Sequence, residues 1–302
     1  MTPDRTPDAR RLALVRGVVF GLLGAKAALE GTPELGRLPT ELLAPVLPLS
    51  LLPDGARDAI LSPAGIVALR VVTALLCLAA ALGRLRGKAL LSPLLPLWLD
   101  RAFLSSFGYV GHAESALLLG AAALAGFAAV GSDSPRRAET AVLLMLTLGY
   151  ALTGLHRVAH GTPDVFDADV LRWWAARNAT WDCWETDLPF ACGEAFANSP
   201  HLPRLLAWGF PLITLLEIAS PLVLLSRRFA LGWLAGIAAF HLLSLVCLSI
   251  FFWENLVLAG LLVARQSAGG SQSDAGVPST SPGPAGAAPR GAGRRTSKRS
   301  SR

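Results

Sequence analysis

Residues 229–248 read FALGWLAGIAAFHLLSLVCL, an apolar run with His241 near its middle. About 20 mainly apolar residues cross the hydrocarbon core of a bilayer as a helix. Seven further apolar runs occur, at 12–29, 64–83, 89–107, 112–131, 140–158, 206–226 and 250–264. The sequence therefore predicts an all-α polytopic membrane protein, with about eight transmembrane helices in a bundle and interfacial outward loops.

The overall composition excludes other classes of protein. Of the 302 residues, 53% are hydrophobic and 16% are charged, whereas soluble domains carry about 25% charged residues. The net charge of +6 lies entirely in residues 265–302, because residues 1–264 are neutral. This excludes a water-soluble enzyme and a nucleic-acid-binding protein, and makes the lipid bilayer the expected partner. The tail at 265–302 is rich in Gly, Ser, Pro and Ala and is predicted to be disordered.

The distribution of basic residues predicts the orientation in the cell membrane. The apolar runs divide the rest of the chain into segments. Every second segment, starting with the N-terminus and ending with the C-terminal tail, belongs to a set that holds 18 Arg and Lys residues. The loops between them hold seven. Basic residues concentrate on the cytoplasmic side of membrane proteins. We therefore expect a multi-pass protein with both termini cytoplasmic. Its parts are a cytoplasmic N-terminus at 1–11, a transmembrane domain at 12–264 and a cytoplasmic tail at 265–302.

Two long loops then face outward, at roughly 31–62 and 159–204. The second is rich in tryptophan, which prefers the membrane–water interface, so we expect it to lie against the headgroups. It also contains Cys183 and Cys192, which are a candidate disulfide on an oxidising side of the membrane.

Ionisable residues at membrane depth are costly unless they are paired or solvated, so they indicate functional sites. Either one polar cavity inside the bundle gathers these residues, or they form unrelated structural pairs. Glu217 and His241 lie deepest in their runs, where a side chain does not easily reach the interface. The candidates are Arg70, Asp100, Arg101, His112, Glu114, His156, Arg157, His160, Glu217, His241 and Glu254.

His156 and His160 are four residues apart and therefore share one helical face. This spacing is compatible with a metal ion. The sequence offers no second histidine pair of this kind, so we predict no metal site. Hydrogen bonding to a substrate or a carboxylate is the favoured role.

Five short motifs containing polar residues occur in an order that is found in a known family. They are GHAE at 111–114, YALTGLHR at 150–157, EIASP at 217–221, FHL at 240–242 and SIFF at 249–252. In order and spacing they resemble the vitamin K-dependent γ-carboxylase-like membrane domain, whose bacterial branch is the horizontally transferred transmembrane (HTTM) family. The resemblance covers roughly residues 12–264.

This resemblance implies a chemistry and a set of roles. Carboxylases of the family oxidise a reduced quinone with O₂, and a lysine deprotonates the quinol. Arg157 stands where that lysine would be, and arginine stays protonated in proteins. Arg157 would then hold an anion, and His156 or His160 would replace the base. His112 is the remaining catalytic candidate, with Tyr150, Glu217, His241 and Arg101 as substrate-binding candidates. Glutamate carboxylation itself is not expected.

Three functions follow from these observations. The first is a membrane-embedded enzyme acting on a quinone-like or lipid-like substrate through a His/Arg/Glu cavity. The second is a non-catalytic scaffold, or a lipid-binding or partner-binding protein, that lost the catalytic lysine. The third is a transporter, which the absence of an internal repeat disfavours.

Overall fold

The computed structural model describes residues 7–29, 44–106, 112–131, 134–161, 167–186, 191–248 and 253–270. In these ranges the chain forms helices joined by short turns, and they contain no strand. The all-α prediction is confirmed. The helices are α1 (Pro7–Leu29), α2 (Asp54–Leu61), α3 (Pro63–Ala81), α4 (Leu94–Ser106), α5 (His112–Ala129), α6 (Pro135–His160), α7 (Ala168–Thr186), α8 (Ala191–Asn198), α9 (Leu202–Ile218), α10 (Arg227–Leu248) and α11 (Trp253–Gly270).

Four of the described helices are long and apolar enough to cross a membrane: α1, α3, α6 and α10. Two shorter apolar stretches lie in α5 and α11, at Ser115–Ala129 and Trp253–Ala264. The helical membrane character is therefore supported, and the count of eight spans stays a prediction.

Two predicted spans are shorter helices than expected. The run 89–107 contains a 3-10 turn at Gly87–Leu91 followed by α4, whose 13 residues extend about 20 Å at 1.5 Å per residue. The run 206–226 contains the end of α9, which has Pro211 in its interior, and then a 3-10 turn at Ser220–Leu224. Prolines at these positions remove backbone donors and interrupt a continuous α-helix.

The bundle is organised around α1, which packs against α3, α5, α6 and α11, and α6 packs against α5 and α9. The interior is mainly apolar. Its largest buried side chains include Phe20, Leu117, Leu146, Trp233 and Leu258. Gly24 allows the approach of α1 to α3, because a Cβ there would lie 3.0 Å from the Cβ of Cys77.

The outer faces of the bundle are also apolar. Leu75 and Leu78 on α3, Leu212 and Leu215 on α9, and Leu242 on α10 are all more than half exposed. Soluble monomers rarely expose contiguous apolar patches of this kind, which mark protein or membrane contacts. This surface chemistry agrees with the membrane character of the long helices.

The predicted outward segment 159–204 is largely helical instead of an irregular loop. It contains α7 and α8, which pack together and against α9 and α10. Asn178 Nδ2 donates a hydrogen bond of 2.6 Å to the carbonyl oxygen of Leu248 and so ties α7 to the end of α10. Trp173 and Trp174 are exposed beside the Arg177 guanidinium, which lies 5.0 Å from the Trp174 ring centroid.

The helices also extend past the predicted domain boundaries. Helix α1 begins at Pro7 and α11 ends at Gly270, whereas the transmembrane domain was predicted at 12–264. Residues 271–302 lie outside the described residues, as does the stretch 30–43 of the first long loop. The predicted disorder of the tail and the cytoplasmic location of both termini stay predictions.

Candidate functional site

One face of α6 carries the polar residues of the candidate site. Thr147, Tyr150, Gly154 and Arg157 follow each other at intervals of three and four residues, so they share this face. The face packs against α9 and against the 3-10 turn Ser220–Leu224 that follows α9, and Tyr150 on it reaches His241 of α10. Helix α6 thereby brings together residues from three segments that are distant in sequence.

Arg157 forms an ion pair with Glu217 across the α6–α9 contact. Arg157 Nη1 donates to Glu217 Oε2, and Nη2 donates to Oε1 over 3.3 Å. Arg157 Nη1 also donates to Thr214 Oγ1 over 3.1 Å. The Glu217 side chain is only 3% exposed. The Arg157 guanidinium stays protonated, so it cannot act as a base. The Glu217 carboxylate already accepts two hydrogen bonds from it, so the pair stabilises a buried negative charge.

The close approach of α6 to α9 depends on Gly154. A Cβ at Gly154 would lie 2.9 Å from Ile218 Cγ1 and 3.1 Å from Glu217 Cβ. One turn away, Ser220 Oγ lies 2.6 Å from the carbonyl oxygens of Thr147 and Glu217. The missing side chain and this hydroxyl together position the Glu217 carboxylate opposite Arg157.

Tyr150 and His241 form a second polar contact, between α6 and α10. Tyr150 Oη lies 2.8 Å from His241 Nε2, and the tautomer of the imidazole decides which group donates. Both residues are buried, and the Trp233 ring stands edge-on to Tyr150 with 5.4 Å between centroids. A phenol and an imidazole in contact can exchange a proton, because each group both donates and accepts.

An apolar groove of about 260 Å³ runs between α9 and α10, beside this polar group. The rings of Phe210 and Phe240 meet edge-on in it, with 6.0 Å between centroids. Phe210 lies 5.5 Å from the Arg157 guanidinium carbon, and Phe240 lies 5.5 Å from the His241 ring. The aromatic pair therefore separates the groove from the ion pair and the imidazole. The groove is lined by Leu206, Gly209, Phe210, Leu212, Ile213, Leu216, Gly236, Ala239, Phe240 and Leu243.

Arg70, Asp100 and Arg101 form a separate group of ion pairs at the α3–α4 contact. Arg70 Nε lies 3.2 Å from Asp100 Oδ1 and joins α3 to α4, and Arg101 Nη2 lies 3.5 Å from the other oxygen of Asp100. Arg101 therefore belongs to this α3–α4 pair and not to the α6–α9–α10 group. Among the described residues, the arrangement corresponds to the alternative of separate structural pairs more closely than to one shared cavity.

Two ion pairs of α1 involve residues that sequence reasoning did not connect. Lys26 Nζ lies 2.8 Å from Glu254 Oε1 on α11, and Arg11 Nη2 lies 2.8 Å from Glu139 Oε2 on α6. Lys26 is a charged residue inside the first apolar run, so the sequence alone could have identified it as a candidate. Nothing in the sequence indicates its partner, because the two residues are 228 positions apart.

His156 and His160 do lie together, as their spacing predicts, with 4.7 Å between ring centroids. Both side chains are exposed on α6, so they do not face the Arg157–Glu217 pair. The part of the chain that the structure describes contains no group of three side chains able to hold a metal ion. The side chains of His112 and Glu114 lie outside the described residues.

The described residues do not show the predicted disulfide. Cys192 is a free, exposed thiol on α8, and the side chain of Cys183 lies outside the described residues. Their pairing stays a prediction.

No family model, curated protein or solved structure matches this chain. The resemblance to the carboxylase-like family therefore rests on the sequence motifs alone.

Proposed function

We propose that this chain is an integral membrane protein that binds an isoprenoid quinone in the groove between α9 and α10, without catalysing quinol-driven carboxylation. One observation carries the proposal: Phe210 and Phe240 line the groove and contact Arg157 and His241 on its inner side. The apolar groove, the aromatic pair and the polar residues Arg157 and His241 therefore lie side by side. An isoprenoid quinone, which has a ring at one end and an apolar tail, requires this combination.

The groove suits such a ligand by chemistry. Its lining is almost entirely aliphatic and aromatic, and its helices expose leucines to the surroundings on both sides. Ligand sites are commonly apolar concavities with a few polar groups that fix orientation. A quinone ring stacked on an aromatic side chain gains about 0.5–1.5 kcal/mol beyond its buried area. An acyl chain of a phospholipid would lack that contribution, so the aromatic pair favours the quinone.

Filling the groove tests this proposal directly. Gly209 lines the groove, and no atom lies within 4 Å of a Cβ added there, so this position accepts a side chain beside the groove without a Cβ clash. We expect Gly209→Phe to abolish retention of a short-chain menaquinone by the detergent-purified protein, measured as the molar ratio of menaquinone to protein by mass spectrometry.

Gly232→Phe is the matched control, because Gly232 on α10 has equally open space and does not line the groove. Equal retention by both variants, or retention of phospholipid alone by the unmodified protein, contradicts the proposal.

A membrane-embedded enzyme is the second candidate, and the Tyr150–His241 hydrogen bond favours it because the two buried groups can pass a proton. The two candidates differ in turnover. On the proposed binding function, neither the unmodified protein nor Arg157→Lys consumes O₂ with menaquinol above the rate of heat-denatured protein. The lysine would remain paired with Glu217, and a paired ammonium is held in its protonated form. Menaquinol-dependent O₂ uptake by either protein would favour the enzyme.

A further inference from the structure

The contact between α8 and the end of α10 brings together two cysteines that are distant in sequence. Helix α8 packs directly on α10. Phe196 of α8 is buried against Leu248 at the end of α10, and Cys247 packs on the same cluster. Cys192 lies four residues before Phe196, so it occupies the adjoining position on the same side of α8.

The packing of α8 on α10 around Phe196 and Leu248 places Cys192 and Cys247 at neighbouring positions of one helix contact. Cys192 is exposed and Cys247 is half-buried, so both are within reach of a reagent in solution. Cys77, in contrast, is fully buried in α3 beneath α1. Buried cysteines of that kind behave as small apolar side chains.

We propose that Cys192 and Cys247 form a reversible disulfide that fastens α8 to the end of α10. A disulfide requires Cα atoms about 4.4–6.8 Å apart, which direct packing of two helices permits. The positive-inside distribution predicts that this end of α10 lies on the outward side, where disulfides persist. The proposed pairing replaces the one between Cys183 and Cys192, which proximity in sequence suggests.

The oxidant is an external disulfide, by thiol–disulfide exchange. The exposed Cys192 thiolate attacks one sulfur of the external disulfide and releases the first thiol. The Cys247 thiolate then attacks Cys192 Sγ in the mixed disulfide and releases the second. The two protein thiols lose two electrons and two protons, and the external disulfide becomes two thiols. The proposed disulfide does not depend on quinone binding, although Leu206 of the groove packs on the same cluster.

Disulfide mapping of the full-length protein tests the pairing. The detergent-purified, fully reduced protein is incubated with oxidised glutathione, quenched with acid and alkylated, and its peptides are identified by mass spectrometry. We expect a linked pair of peptides containing Cys192 and Cys247. Cys183→Ser, the matched control, leaves its yield unchanged, and Cys247→Ser eliminates it and leaves glutathione on Cys192.

A link between Cys183 and Cys192 in the unmodified protein overturns the proposal. So does glutathione on Cys192 without any link to Cys247 in the protein that retains all its cysteines. Unchanged elution of the variants in size-exclusion chromatography shows that the substitutions have not altered the fold.

Discussion

Replacing Glu217 with glutamine is expected to lower the free energy of unfolding by about 3–5 kcal/mol, the usual cost of removing one partner of a buried ion pair. The substitution keeps the shape of the side chain and removes its charge. The Arg157 guanidinium then remains charged beside apolar helices, with Thr214 and a neutral amide as its neighbours. Equilibrium unfolding of the detergent-solubilised protein, followed by circular dichroism, measures this loss.

Removing both charges together provides the decisive comparison. Because an apolar pair of similar volume often replaces a buried ion pair at little cost, Arg157→Met with Glu217→Leu should recover most of the lost stability. Asp54→Asn is the matched control, since the Asp54–Arg57 pair is exposed and such pairs contribute about 0–1 kcal/mol. A double variant as unstable as Glu217→Gln would contradict the charge-based explanation.

Replacing Lys26 with methionine is expected to cost a similar amount, about 3–5 kcal/mol, and to loosen α11 in particular. Glu254 is 1% exposed, and its Oε2 has no hydrogen-bond partner, so the substitution leaves the carboxylate without the ammonium that Oε1 accepts from. The release of α11 is measured as the rate of protease cleavage after Arg265, and this rate is compared with the rate at which the whole protein unfolds.

Glu254→Gln combined with Lys26→Met should restore protection of α11, because the buried charge is then absent. Arg57→Met is the control, because its partner Asp54 is 85% exposed and such surface pairs contribute about 0–1 kcal/mol. If Lys26→Met and Arg57→Met changed stability equally, burial would not be the cause.

The length and apolar character of the long helices were readable from the sequence. The run 229–248 became α10, and the run 140–158 became the middle of α6. Uninterrupted apolar runs specify helices locally, because each backbone group is satisfied within its own segment. The shorter α4 and α9 were less predictable, since their ends depend on the conformation of prolines and 3-10 turns.

At the candidate site, the sequence predicts which residues share a helical face but not which neighbouring helix that face contacts. The spacing of His156 and His160 correctly places them on one helical face, and the position of Glu217 and His241 inside long apolar runs singles them out. Periodicity does not say which way a face points. Arg157 faces α9, while the histidine before it in the chain faces outward. That difference is set by the rotation of α6 against its neighbours.

The sequence by itself determined that this chain is helical, apolar and short of charge, because those properties belong to individual segments. Only the tertiary structure decided which charges meet. Lys26 finds Glu254 across 228 residues, and Arg157 finds Glu217 across 60. The physical reason is that a charge buried among apolar helices requires an opposite charge within a few ångströms, and helix packing alone selects the residue that supplies it.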